Sequence, residues 1–107
     1  MATAKVHPMI PDSVTADPKH YTVESEDEHI RVVRIRYGPH EKSVMHSHPA
    51  LVAVFLTDSN FKFTYTDGKT EDTLAKAGDI LTREAFEHLP ENMSDKPFEA
   101  IAIELKR

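Results

Sequence analysis

The sequence predicts an all-β fold, a small antiparallel β-barrel of the jelly-roll kind, and three observations carry that prediction. Apolar residues come in short runs or in strict alternation, with no stretch of about ten residues at helical spacing. Turn signals separate those runs, and all three glycines, Gly38, Gly68 and Gly78, fall on them, where a positive φ is cheap. The chain has 107 residues of which 39% are hydrophobic, enough for one modest core and not for two.

The elements follow in order. Residues 1–19 read as an N-terminal arm and residues 20–107 as the barrel domain. Pro8, Pro11 and Pro18 exclude a long helix in the arm and favour extended chain, which is expected to drape over the domain or over a partner subunit. Residues 29–37 are rich in β-branched side chains interleaved with arginine and read as a strand, stopped by Gly38 and Pro39. Residues 51–56 are a continuous apolar run, expected to be a strand buried on both faces. Residues 61–66 alternate, with Phe61, Phe63 and Tyr65 on one face. Asp67-Gly68 then signals a hairpin, with residues 69–74 as the return strand. Residues 77–79 are a further turn before a strand at 80–83. Residues 98–105 close the domain, with Ile101, Ile103 and Leu105 sharing a face. Only residues 73–77 or 84–88 leave room for a helical turn.

Composition excludes several classes of function. The formal net charge is −5, and residues 1–29 carry two positive and six negative side chains. Without a basic block, nucleic acid is not the expected partner. No apolar run approaches the roughly 18 residues of a membrane span, and no basic start precedes an apolar run, so no membrane association and a cytoplasmic address are expected. Cysteine is absent, which removes disulfides, thiolate metal sites and a cysteine nucleophile.

The chain does carry seven histidines. In a strand, residues i and i+2 point to one face, so His46 and His48 can converge on a point just off a sheet. Imidazole is the commonest protein ligand for transition metals. A third ligand is needed, and His88, between the strand at 80–83 and Leu89-Pro90, is the best candidate. An idle exposed pair is the alternative reading of His46 and His48. His7, His20, His29 and His40 are assigned to solvent or interface roles, with His40 beside the site in sequence.

Two segments resemble the motifs of the cupins. Gly38, followed by His46-Ser47-His48, resembles the first motif, G(x)5HxH(x)3–4E(x)6G, with two more residues between the glycine and the first histidine. Gly78-Asp79, followed by His88-Leu89-Pro90-Glu91-Asn92, resembles the second, G(x)5PxG(x)2H(x)3N. The likeness covers roughly residues 30–106. The motif-one glutamate is lost, since its position falls on Val52 or Ala53, and its closing glycine is missing near Asp58, Ser59 and Asn60. In motif two, Glu84 stands for the proline, Phe86 stands near the glycine, and His88 comes one residue early.

The resemblance implies a cupin-like jelly roll with a metal held by His46, His48 and His88. Three neutral imidazoles leave a divalent ion its full +2 charge and an open position, which favours a small anionic ligand. Three-histidine cupins include iron dioxygenases, so the resemblance implies iron and O2, while the ligand set equally permits Zn, Ni, Cu or Co. A dioxygenase-type oxidoreductase is one function; a non-catalytic module that binds a metal or metabolite, as a sensor or store, is the other. A barrel that has lost its metal fits the retained histidines less well. Val44, Val52 and Val54 are expected to share the inward face with the histidines. Arg83, Glu84 and Tyr65 are the polar residues expected within reach of the pocket. Sheet edges and the arm point to a homodimer, and metal release is expected below about pH 6.

Overall fold

The structure, a computed structural model, describes residues 10–106. Among these, nine strands form two antiparallel sheets: β1 (Tyr21–Glu26), β2 (Ile30–Tyr37), β3 (His46–His48), β4 (Leu51–Phe55), β5 (Ser59–Thr64), β6 (Thr70–Ala75), β7 (Ile80–Arg83), β8 (Phe86–Asn92) and β9 (Phe98–Leu105). One sheet runs β1-β2-β9-β4-β7 and the other β3-β8-β5-β6. Apart from the β1–β2 and β5–β6 pairs, consecutive strands pass from one sheet to the other, as in a jelly roll, and the expected all-β class holds. No helix among the described residues is long and apolar enough to cross a membrane.

The turns form where the glycines are. Gly68 takes φ +86° at the tip of the β5–β6 hairpin and Gly78 takes φ +93° before β7, a region that L side chains avoid. Gly38 serves differently: its N–H donates to the Glu41 carboxylate at 2.7 Å, and a Cβ there would lie 3.1 Å from the carboxyl carbon.

The core lies between the sheets and is built from Tyr21, Val33, Tyr37, Leu51, Ala53, Phe55, Phe61, Phe98, Ala100 and Ala102. Its parity corrects two expectations. β4 is not buried on both faces: Leu51, Ala53 and Phe55 are buried while Val52 and Val54 are only half-buried. In β9, Ile101, Ile103 and Leu105 share a face as expected, and it is the outer one, while Phe98, Ala100, Ala102 and Glu104 face inward. The physical reason is space. Phe55, Phe61 and Phe98 fill the gap between the sheets, their rings 4.6–5.9 Å apart, so the strand between β2 and β4 must present small alanines inward. Val44 is half exposed, so Val44, Val52 and Val54 do not share the histidine face. The chain breaks between β3 and β4 at Pro49-Ala50, and the break resets the parity.

The one helical turn among the described residues is α1 (Ser13–Ala16), between Pro11 and Pro18 rather than at 73–77 or 84–88, which are strand and turn. Residues 1–9 of the expected arm lie outside the described residues. From Ile10 on, the segment packs against its own domain, the Pro11 carbonyl accepting the Ser47 N–H at 2.9 Å. His20 departs from its solvent assignment. It is buried, stacked on Tyr37 with ring centroids 4.1 Å apart, and bonded to Asp17 at 2.6 Å and Glu41 at 2.9 Å. His29 and His40 are exposed, and His7 lies outside the described residues.

Candidate metal centre

β3 pairs with β8 so that His46 stands directly across from His88 and His48 from Phe86. Directly opposed side chains in an antiparallel pair share a face, and His48 shares it with His46 by its i+2 spacing. The three histidines are buried, and one ring nitrogen from each lies within 4.8 Å of the others. The rings stand edge to face, with centroids 4.8, 4.9 and 5.1 Å apart. The structure thus brings together the three residues that the sequence singled out.

Hydrogen bonds decide which nitrogens face the centre. His46 Nδ1 donates to the Val44 carbonyl at 2.8 Å. His48 Nδ1 donates to the Glu104 carboxylate at 3.2 Å. Both partners accept only, so the proton sits on Nδ1 and each Nε2 carries a lone pair. Those two Nε2 atoms are 3.1 Å apart with no proton left to place between them. Both nitrogens of His88 are buried with no hydrogen-bond partner among the described residues. Buried polar atoms are normally partnered. Converging lone pairs and an orphaned imidazole are what a cation would satisfy, and imidazole nitrogen suits a transition ion. The residues present therefore fit a metal.

The electrostatics agree. Burial, reinforced by the neighbouring His48, pushes His46 down to about 3. Burial, then His48 and His46, pushes His88 well below the usual imidazole range. Both rings are held neutral, the form that ligates. Because these values lie below the ~6.5 of an unfolded chain, the unfolded chain takes up protons first on acidification. The stability they contribute is complete above about pH 6.5 and is lost as pH falls toward 3. The thermal midpoint of the metal-free protein should accordingly be level above pH 7 and fall between pH 6.5 and 5, above the carboxylate range. A midpoint unchanged over that interval in circular dichroism would contradict this burial argument.

His48 and His88 open onto a cavity of about 70 Å3 between the sheets, walled by Phe55, Phe61, Phe63, Phe86 and Phe98. Besides the histidines it is lined by Ser59, Thr73, Tyr21 and Tyr37, the two tyrosine hydroxyls lying 2.6 Å apart. Burial pushes both phenols up, Tyr21 far above its ordinary value, so both remain protonated. Tyr21 lies edge-on to His46 and His48, at 4.8 and 5.7 Å.

Arg83, Glu84 and Tyr65 do not line this cavity. The Arg83 guanidinium covers the Phe86 ring at 4.3 Å and donates to the Tyr65 hydroxyl at 3.3 Å. Tyr65 donates in turn to Glu71, and Glu84 is exposed between β7 and β8. Of the two positions for the lost glutamate, Ala53 faces the cavity and Val52 does not. Asn92, the close of the second motif, is structural: its amide donates to the Gly38 and Lys96 carbonyls at 3.1 and 3.0 Å.

Sequence reasoning missed Glu104. It is 1% exposed, faces inward at the end of β9, and receives Arg31 as well as His48. The signal is its place in the alternation of Phe98, Ala100 and Ala102, on the face opposite Ile101, Ile103 and Leu105.

No family model matches the chain, and no curated protein does. Solved structures do. A cupin domain from Bordetella pertussis is 28% identical, with a TM-score of 0.75 over 81% of this chain and 92% of that one. A double-stranded β-helix domain protein from Klebsiella pneumoniae is 22% identical, with a TM-score of 0.62 over 78% and 72%. A cupin-family protein with a double-stranded β-helix fold from Methanocaldococcus jannaschii is 19% identical, with a TM-score of 0.62 over 83% of each chain.

Proposed function

We infer that the chain, a small cupin with three converging histidines and no glutamate among them, binds one divalent transition metal ion through His46, His48 and His88 and presents it to a small anionic molecule. The observation that carries this reading is the set of inward nitrogens without protons or partners. Bound there, a divalent ion would keep its +2 charge and at least one open coordination position. Arg83, whose charge acts on His88 from behind Phe86, adds to the pull on an anion. The aromatic wall makes the cavity beside the site largely apolar. Iron is the ion favoured by the motif resemblance, and zinc, nickel, copper and cobalt suit the same donors.

With iron and O2 the chain would be a dioxygenase-type oxidoreductase. The other reading is a non-catalytic module that binds a metal or metabolite. The cavity size favours this second reading: about 70 Å3 is well below the ~300 Å3 of an ordinary ligand pocket. The two are separated by elemental analysis of the purified protein, then O2 uptake with small thiols, diketones and hydroxyacids. One equivalent of metal per chain is expected. Metal-dependent O2 uptake would establish the enzyme. Metal without uptake across the panel would leave the binding module, and a chain free of metal after exposure to iron and zinc would refute the site.

The same proposal includes a cytoplasmic homodimer. Its support is the outer face of the five-stranded sheet, where Val52 pairs with Ile103 and Val54 with Ile101, and Val32 lies beside Ile103. Arg34, ion-paired with Glu24 and Glu99, borders this strip. An apolar centre with a charged rim is the usual make-up of an interface, and a second copy would supply the same strip about a twofold axis. Ile103→Glu should yield a monomer in sedimentation at micromolar concentration. A parent chain that is itself monomeric there would refute the dimer.

A further inference from the structure

Residues 11–17 reach the histidine centre by three routes. The Pro11 carbonyl accepts the N–H of Ser47, the residue between His46 and His48, at 2.9 Å, beside a parallel bridge from Asp12 to Ser47. Asp12 Oδ2 accepts from Arg31 Nη2 at 2.7 Å. Arg31 Nε donates to Glu104 Oε1 at 2.8 Å, and Glu104 Oε2 accepts from His48 Nδ1 at 3.2 Å. Asp17 Oδ2 accepts from Ser43 Oγ at 2.5 Å, and that hydroxyl oxygen lies 3.4 Å from His46 Nδ1. Asp17 is itself fixed by His20, whose Nδ1 is 2.6 Å from the same carboxylate oxygen. Two separate polar chains thus start on one short segment and end on the outward nitrogens of two different histidines.

Outward nitrogens are where the orientation of a ligating imidazole is set. A carboxylate on the far N–H fixes the tautomer, turns the ring and raises its basicity, and loss of such a partner typically weakens metal binding about 10–100-fold. Charge in the buried chain is compensated at each step, since Glu104 lies between a guanidinium and an imidazole.

We propose that residues 11–17 are an outer support of the metal site: Asp12, through Arg31 and Glu104, positions His48, and Asp17, through Ser43, positions His46, so that docking of this segment and occupancy of the site favour each other. The inference rests on the metal reading above. Asp12, Asp17, Arg31, Ser43 and Glu104 are positioning residues, since they act through the histidines. The favour is mutual, because a coupling free energy between two sites acts equally in both directions.

The test uses the full chain and Zn2+, with affinity read by competition against a chromophoric chelator. Glu104→Gln should weaken Zn2+ binding about 10-fold or more. Asp12→Asn and Asp17→Asn should each weaken it several-fold, and the double variant by about the product, since they lie on separate chains. Asp67→Asn in the exposed hairpin should leave affinity unchanged, which separates the support from general surface charge. Asp12 is on the surface side of its chain and its variant is expected to fold. In the parent, Zn2+ should slow hydrogen exchange at the amides of Ser47, Ala16 and Asp17, which bond to Pro11, Asp12 and Ser13. A parent that binds no Zn2+ would overturn the underlying metal reading. Parent-like affinity in both Asp12→Asn and Asp17→Asn, whatever Glu104→Gln does, or exchange at those amides indifferent to Zn2+ while the parent binds it, would overturn the support alone.

Discussion

Replacing His88 with leucine should make the metal-free protein more stable and abolish metal binding. The two effects have one cause. His88 is buried with both nitrogens unpartnered among the described residues, between Phe63 at 4.4 Å and Phe86 at 4.6 Å. A buried polar group without a partner costs about 1–3 kcal/mol, and an apolar side chain of similar size removes that cost without opening a cavity. In a domain of this size the thermal midpoint should rise by at least roughly 5 °C. The other two histidines would then face each other without a third ligand, and affinity should fall by more than about 100-fold. In the parent, a metal at 100 times its Kd stabilises by about 2.7 kcal/mol, and the variant should lack that increment. His88→Leu that lowers the metal-free midpoint would mean the imidazole is a satisfied structural residue, and retention of metal would remove it from the ligand set.

Much of this was legible in the sequence for a physical reason. Strand pairing needs only period-two patterning and turn chemistry, so residues 80–83 and 98–105 are strands with the expected bounds, and Asp67-Gly68 is a hairpin. The histidines were legible because i+2 spacing on a strand is itself a geometry. What could not be read was which face of a strand is inward. Ile101 and Ile103 are more apolar than Ala100 and Ala102, yet the alanines face inward because the phenylalanines of other strands occupy the space. Glu104 shares the alanine face behind His48, and Val52 turns outward because the break at Pro49-Ala50 resets the parity counted from the histidines. β3 has three residues and β8 runs through a buried Pro90, both below what patterning detects. His20 was misassigned because its partners, Asp17 and Glu41, are brought to it by the fold of the arm and of the loop after Gly38.

The inward carboxylate leads to the second large effect. Arg31→Met should destabilise the metal-free protein by about 3–5 kcal/mol, the usual result of removing one partner from a buried ion pair. The Glu104 side chain is 2% exposed and would keep only His48 as a partner, while the buried charge would lose its guanidinium. The thermal midpoint should drop by roughly 12 °C or more. Changing both partners, Arg31→Met with Glu104→Met, should recover most of the loss, because apolar replacement of a whole buried pair is often neutral or better. Asp12, left without Arg31, is one-third exposed and adds little. The recovered double variant then shows what the carboxylate is for. It should fold like the parent yet bind Zn2+ more weakly by about 10-fold or more, since His48 Nδ1 has lost its acceptor. Parent-like stability together with parent-like affinity would mean that the buried pair serves neither the fold nor the site. A double variant no more stable than Arg31→Met would show that packing of the arginine stem, rather than its charge, carries the effect.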